Sequence, residues 1–447
     1  MKKYWSQSLT LLVAGLVTLQ VSAQERHAFS AQQAVAYALK NAVQIKNALV
    51  DYKIQEQTNR EITASAFPQV NGSLAINDFL KIPTSLIPAE FTGGPPGTYI
   101  PIKFGTKYSA TAGLDINQLL FDGQVFVGLQ ARHSALEFYN RQTEVTSEMI
   151  KANVMKVYYQ LVIGREQLTS IDANITRFDK LLADTKEIYK NGFAEKLDVD
   201  KVSVQLNNLK TEKIKVDNQL DAGLAGLKYL MHMPQKAKLI LMDSVTEEEL
   251  KLNLLDTAYQ YTNRKEYQLL QVAQKLGEYN IKRYQLSYLP TLSLFGNFSQ
   301  NAQRKEFTFL KTGSQYPWFP TALIGLKLNV PIFDGFARSA RISKARLELE
   351  KTQNNMSQLE ATIDNDVEQA RLKITSALLT IDNQRRNMQL AEQVYNTTKL
   401  KYEQGLGSNQ EIYNAQAELK VAQNNYYSAL IDAVIFKIDY QKAIGTL

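Results

Sequence analysis

The sequence predicts an α+β fold in which very long helices join a few strands that cannot complete a sheet alone. Three observations predict it: ten of the eleven prolines fall in two short windows, four segments of period-2 alternation sit in or beside those windows, and the halves of the chain repeat one another. Six of the eleven prolines lie between Pro68 and Pro101, four lie between Pro290 and Pro331, and Pro234 stands apart. Proline removes a backbone donor and breaks helix interiors, so the proline-free spans 124–233 and 336–447 are where long helices run.

The second span carries a seam. Ile342, Ala345, Leu349, Thr352, Met356, Leu359, Ile363, Val367 and Ala370 recur in steps of three and four with polar residues between them, a coiled-coil-like stripe. No glycine interrupts 336–404, and a helix of that length reaches ~100 Å at 1.5 Å per residue, beyond what an ordinary globular domain holds.

Strands are read from alternation. Val70, Gly72, Leu74 and Ile76 alternate with polar or small residues, as do Tyr108, Ala110, Ala112, Leu114 and Ile116. In the second window Leu292, Leu294, Gly296 and Phe298 form one face, broken by Phe295, and Ala322 to Ile332 form another. Each segment is long enough to cross a bilayer as a tilted strand, and Tyr99, Tyr316, Trp318 and Phe319 beside them suit an interfacial girdle.

The repeat is clearest where each strand pair ends. Gly113–Gly123 (GLDINQLLFDG) matches Gly325–Gly335 (GLKLNVPIFDG) at six of eleven positions, and YKNGF at Tyr189 matches YEQGL at Tyr402. Ser65-Ala66-Phe67-Pro68 likewise matches Ser287-Tyr288-Leu289-Pro290, with the extra residues of the first half falling in a longer loop around Ile82–Pro101. The organisation expected is a first repeat over 24–232, a connecting segment over 233–252 and a second repeat over 253–447. Four strands with an apolar face cannot close a barrel, yet sheet edges in lipid must be paired, so closure needs further copies of the chain. Two copies would leave a bore filled by side chains, so three or more are favoured.

The start of the chain reads as a secretory signal over 1–23. Lys2 and Lys3 precede an apolar run from Leu9 to Val17, and Val21-Ser22-Ala23 forms a small-residue cleavage site. There is no cysteine, so neither disulfides nor an acylated N-terminal cysteine are available. The net charge of +7 is modest over 447 residues and indicates no nucleic-acid partner. His27, His133 and His232 have no second ligand at metal-site spacing, and nucleophile elbows, phosphate loops and dinucleotide fingerprints are lacking, so neither an enzyme nor a cofactor is expected. Glu247-Glu248-Glu249 reads as solvated surface.

The duplicated layout, the Ser-x-x-Pro lead into each strand pair, the FDG exits at Phe121–Gly123 and Phe333–Gly335, and the Y-x-x-G turns together resemble the TolC-like outer-membrane efflux proteins over essentially the whole mature chain. That resemblance implies a long antiparallel α-helical coiled-coil barrel continuous with a 12-stranded β-barrel, four strands coming from each of three protomers. It implies a homotrimer in the Gram-negative outer membrane, surrounded by lipid and extending into the periplasm. A periplasmic adaptor and an inner-membrane transporter would be its partners in a tripartite efflux pump, or it would serve as the exit duct of type I protein secretion.

It also implies that Tyr189, Gly192, Phe193, Tyr402, Gly405 and Leu406 form an adaptor-docking tip, and that Asp198, Glu411 and Asn414 form a channel constriction. Asn191 and Gln404 depart from the small apolar residue common before the tip glycine. Local physics offers simpler roles: the glycines end helices, and Ser408-Asn409-Gln410-Glu411 has the form of a capping box, whereas Asp198 has no such partner in the sequence. A periplasmic coiled-coil scaffold that never enters a membrane would explain the helices but leave the strands without a role.

Overall fold

A computed structural model of the chain describes residues 26–251 and 258–447, so the expected signal at 1–23 lies outside the described residues. Helices dominate: α1 (Ala31–Asn41), α2 (Val43–Ala64), α3 (Gly123–Lys190), α4 (Lys196–Leu230), α5 (Glu247–Lys251), α6 (Lys265–Leu286), α7 (Ala337–Glu403) and α8 (Asn409–Ala443). The halves carry helices of matched length, 22 residues in α2 and α6, 68 and 67 in α3 and α7, and 35 in α4 and α8. Every residue of the expected seam from Ile342 to Ala370 is buried or half-buried, with exposed residues between them. None of the described helices is long and apolar enough to cross a membrane.

The chain forms two compact units. One gathers Asp51–Tyr139 and Leu270–Asn355, and within it β2 (Gln69–Asp78), β5 (Tyr108–Phe121), β7 (Thr291–Arg304) and β8 (Phe319–Asn329) form an antiparallel sheet in the order β2-β5-β7-β8. Its register aligns the alternation across strands: Gly72, Leu114, Phe298 and Ala322 stand in one row, and Val70, Ile116, Gly296 and Ile324 in the next. The opposite face is polar and internally bonded. Asn297 Nδ2 donates to Asp115 Oδ1 at 2.8 Å, Thr111 Oγ1 to Asn301 Oδ1 at 2.9 Å, and Asn301 Nδ2 to Thr321 Oγ1 at 3.2 Å.

Phe295, which broke the pattern, sits on this polar face directly opposite Gly325, where a Cβ would come within 2.9 Å of its ring. The ring covers the glycine. Strand β8 stops at Asn329, so Val330 and Ile332 lie beyond it; Pro331 lacks the N–H a ladder requires. The longer loop contains a separate hairpin, β3 (Thr84–Pro88) with β4 (Tyr99–Lys103), so Tyr99 is not on the main sheet. Trp318 and Tyr316 gather at the loop end with Phe309 and Arg304.

The apolar side chains buried in this unit are mostly small, namely Ala89, Ala110, Ala302 and Ala345 with Val127 and Val272. Large ones stay out: Leu74 is 69 %, Ile324 76 % and Leu326 66 % exposed.

The other unit gathers Asn140–Leu269, Met356–Leu447 and the chain up to Val50, and it holds the main cores. One surrounds Val154, Tyr158, Leu227 and Met231, another Ile163, Ile381, Leu430 and Ala433. A short parallel pair that the sequence reading missed, β1 (Arg26–Phe29) with β6 (Lys238–Leu241), borders the first. Tyr158 ties it down: fully buried, its hydroxyl donates to Phe29 O at 2.8 Å and accepts from the Met242 and Asp243 N–H groups, each at 3.2 Å.

Glu247 does not belong to a solvated surface. Helix α5 sends Leu250 into the core, which turns Glu247 inward to accept from the Tyr426 hydroxyl at 2.9 Å and to pair with Arg385 at 3.0 Å.

A polar cluster lies where α3, α6 and α8 supply charge. Arg264 is buried and forks onto Glu266 at 3.2 and 3.5 Å, while Glu148 is buried with Oε2 lacking a hydrogen-bond partner. Burial and then the Glu266 charge raise the Glu148 carboxyl above the usual range, against the pull of Arg264, Lys442 and Lys265. For Glu266 burial works in the same upward direction, but the Arg264 bonds and charge bring it below.

Two outcomes follow. Tyr158→Phe takes the hydroxyl from the Asp243 N–H, while the Met242 N–H and Phe29 O keep the 3.0 Å bond between them, and costs about 1–3 kcal/mol, read as a lowered Tm. Glu148 has a folded-state pKa above its unfolded value, so the stability it contributes is present in acid and is lost as pH rises through the raised pKa. Glu148→Gln therefore raises Tm at pH 7.5 relative to the parent, with the difference closing near pH 4; an unchanged difference across that range refutes the assignment.

Candidate functional site

The expected tip residues lie on two turns, one joining α3 to α4 and one joining α7 to α8. Gly192 has φ 79° and Gly405 φ 72°, both in the left-handed region. At the first turn Gly192 N–H donates to Tyr189 O at 2.9 Å and Phe193 N–H reaches back to Ile188 O at 3.0 Å. At the second, Gly405 N–H donates to Tyr402 O at 2.9 Å and Leu406 N–H to Lys401 O at 2.8 Å. Each is a Schellman cap, which satisfies carbonyls the helix end leaves open. A Cβ would meet nothing within 4 Å at either glycine, so backbone angle alone, and not space, selects glycine there.

The residues after the caps point outward. Phe193 is 86 % and Leu406 77 % exposed. The tyrosines differ: Tyr189 is exposed, whereas Tyr402 packs against a core of Phe178, Val202, Leu206, Tyr395, Ile412 and Leu419. Leu197, missed in the sequence, joins the exposed apolar group at 55 %. Its signal was an apolar residue in the first turn of a helix with no seam partner.

That core brings the starts of α4 and α8 together. The Tyr413 hydroxyl, also missed, donates to the Asp198 backbone carbonyl at 3.0 Å. Burial, followed by the nearby Asp198 charge, raises the Tyr413 phenol well above its ordinary range, so it stays a donor.

The constriction candidates divide. Asp198 has a capping partner after all, because its carboxylate accepts from the Glu195 N–H at 3.2 Å. That amide is one of the orphan donors at a helix start, so the acid needs no hydroxyl residue to complete its role. At the other turn the Ser408 hydroxyl accepts from the Glu411 N–H at 3.3 Å, leaving the Glu411 carboxylate exposed. Asn414 is exposed one turn on and accepts from Gln410 Nε2 at 3.1 Å. No group of three or more metal-ligating side chains occurs among the described residues.

Gly192→Pro and Gly405→Pro each forbid the left-handed angle and delete the capping N–H. Either variant is expected to lose about 2 kcal/mol or more locally and to raise hydrogen exchange in the last turn of α3 or α7. Unchanged exchange there would mean the caps are not required.

The family model described as outer membrane efflux protein matches residues 262–446. TolC of Vibrio cholerae is 19% identical over 342 residues, covering 75% of this chain and 77% of that protein. The protease secretion protein PrtF of Dickeya chrysanthemi is 20% identical, covering 64% of this chain and 63% of that protein. Among solved structures, CusC superposes with a TM-score of 0.73 at 16% identity over 93% of this chain and 92% of that one. The Campylobacter jejuni CmeC outer membrane channel gives 0.71 at 17% identity, covering 93% and 85%. The chain thus shares the fold of these outer membrane channels across nearly its whole length, and its second half carries the match to the outer membrane efflux protein family.

Proposed function

We propose that the chain is one protomer of a homotrimeric outer-membrane channel-tunnel through which substrates leave a tripartite efflux pump passively. The observation that carries this is the four-stranded sheet, whose β2 and β8 edges have no partner strand among the described residues and whose aligned apolar face is exposed. Lipid tolerates a sheet only if its edges are closed. Pairing β8 of one copy with β2 of the next, three times, gives twelve strands and a wide bore. The polar, hydrogen-bonded face then lines the lumen and the apolar face meets lipid.

Under this reading the turns at Gly192 and Gly405 reach the periplasmic tip, where Tyr189, Phe193, Tyr402 and Leu406 meet an adaptor tied to an inner-membrane transporter. Three copies each of Asp198, Glu411 and Asn414 ring the constriction, Glu411 supplying the freest charge. The secretion proteins PrtF and AprF among the relatives favour a second cargo class, exported protein, through the same passive duct.

The test is detergent extraction followed by native mass spectrometry and planar-bilayer recording: a trimer that conducts is expected, and a monodisperse protein soluble without detergent overturns the channel. Asp198→Ala with Glu411→Ala is expected to reduce cation selectivity several-fold while conductance persists. Unchanged selectivity removes both acids from the constriction.

A further inference from the structure

All four strand–helix junctions lie at one end of the sheet, because β2 and β7 leave helices there and β5 and β8 return to them. At that end the second repeat is cationic. Between Gly335 and Leu347 the chain carries Arg338, Arg341, Lys344 and Arg346 and no acid, and over 279–293 it carries Lys282 and Arg283 and no acid. Positions 212 residues before the four on α7 hold Phe126, Leu129, Arg132 and Ser134, so the first repeat keeps one of these four cations.

The six cations fall within one band about 12 Å deep along the helices. The Arg338 guanidinium lies 5.8 Å from the Tyr288 ring, and a Cβ at Gly277 would come 3.0 Å from Leu349 Cδ1. Those two contacts set α6 antiparallel to α7 in a register that puts Lys282 and Arg283 beside Ser343 and Lys344. From Arg338 to Arg346 the rise is ~12 Å. A headgroup layer is roughly 5–8 Å deep on each side of the hydrocarbon, and long basic side chains extend that reach.

Their charge is largely unspent. Arg338 lies 3.7 Å from Asp334 and Lys344 3.8 Å from Glu348, but Lys282, Arg283, Arg341 and Arg346 are exposed and have no ion pair among the described residues. Just above them come exposed apolar and aromatic side chains, Leu328, Val330, Ile332, Phe333 and Phe336. The order apolar, aromatic, cationic along one direction is that of a membrane interface.

We propose that this cationic cluster binds the phosphate-bearing headgroups of anionic phospholipid in the periplasmic leaflet, three clusters per trimer, one under each β7–β8 pair. The inference rests on the membrane-spanning reading above and adds a lipid class to it. Arginine suits the role because its planar fork matches phosphate oxygens.

The full chain in nanodiscs of phosphatidylcholine with phosphatidylglycerol tests it, with retained lipid counted by native mass spectrometry after extraction. The wild type is expected to retain phosphatidylglycerol over phosphatidylcholine by roughly fivefold for each cation engaged, an excess that 0.5 M salt diminishes. The Lys282→Gln/Arg283→Gln/Arg341→Gln/Arg346→Gln variant is expected to lose that preference, while the exchange Lys282→Arg/Arg341→Lys keeps it. Equal retention of both lipids by inserted wild-type protein overturns the inference and leaves the channel reading standing. So does a glutamine variant with unchanged lipid preference and altered ion selectivity, which would put the cations in the bore. Failure of the wild type to enter discs of either composition overturns the membrane-spanning reading and this inference with it.

Discussion

An unpaired sheet edge cannot persist in hydrocarbon, and this constraint governs the rest of the molecule. Strands β2 and β8 each offer a row of backbone donors and acceptors with no partner strand among the described residues. In water such an edge invites aggregation, and in lipid each unsatisfied group costs several kcal/mol. The side chains agree with the backbone, since the exposed apolar rows through Leu74 and Ile324 would be a liability in a soluble protein. The assembly proposed above would answer both demands at once.

The unit carrying the sheet buries few large apolar side chains, whereas the other buries Tyr158, Phe178, Ile163 and Ile381 almost completely. Stability in one protomer is therefore concentrated away from the strands. Helical hairpins of matched length supply it, and their ends are settled by backbone devices that recur in both halves: a left-handed glycine closing the outgoing helix and an acid or hydroxyl capping the returning one. Turns built this way leave Phe193 and Leu406 exposed without a cost to the core beneath.

The same economy complicates the assignment of acidic residues. Asp198 caps a helix through its carboxylate and anchors Tyr413 through its carbonyl, so a loss of function on mutating it carries a structural component. Glu411 is the cleaner probe, because the Ser408 hydroxyl performs the capping and leaves the carboxylate exposed.

Local periodicity and backbone chemistry are legible in the order of residues alone. Proline confinement marked the long helices, alternation marked the four strands, and Gly192 and Gly405 marked turns that only a left-handed residue makes, since each of these is a property of near neighbours in the chain. The repeat was legible as well, through Gly113–Gly123 and Gly325–Gly335. Contacts between residues far apart in sequence came from the folded chain. It paired β1 with β6, turned Glu247 into the core, laid Phe295 over Gly325, and gave Asp198 an amide whose need for a partner no side-chain pattern reveals. It also aligned α6 with α7, so that cations some sixty residues apart fall in one band, because register between helices is set by packing and not by sequence spacing.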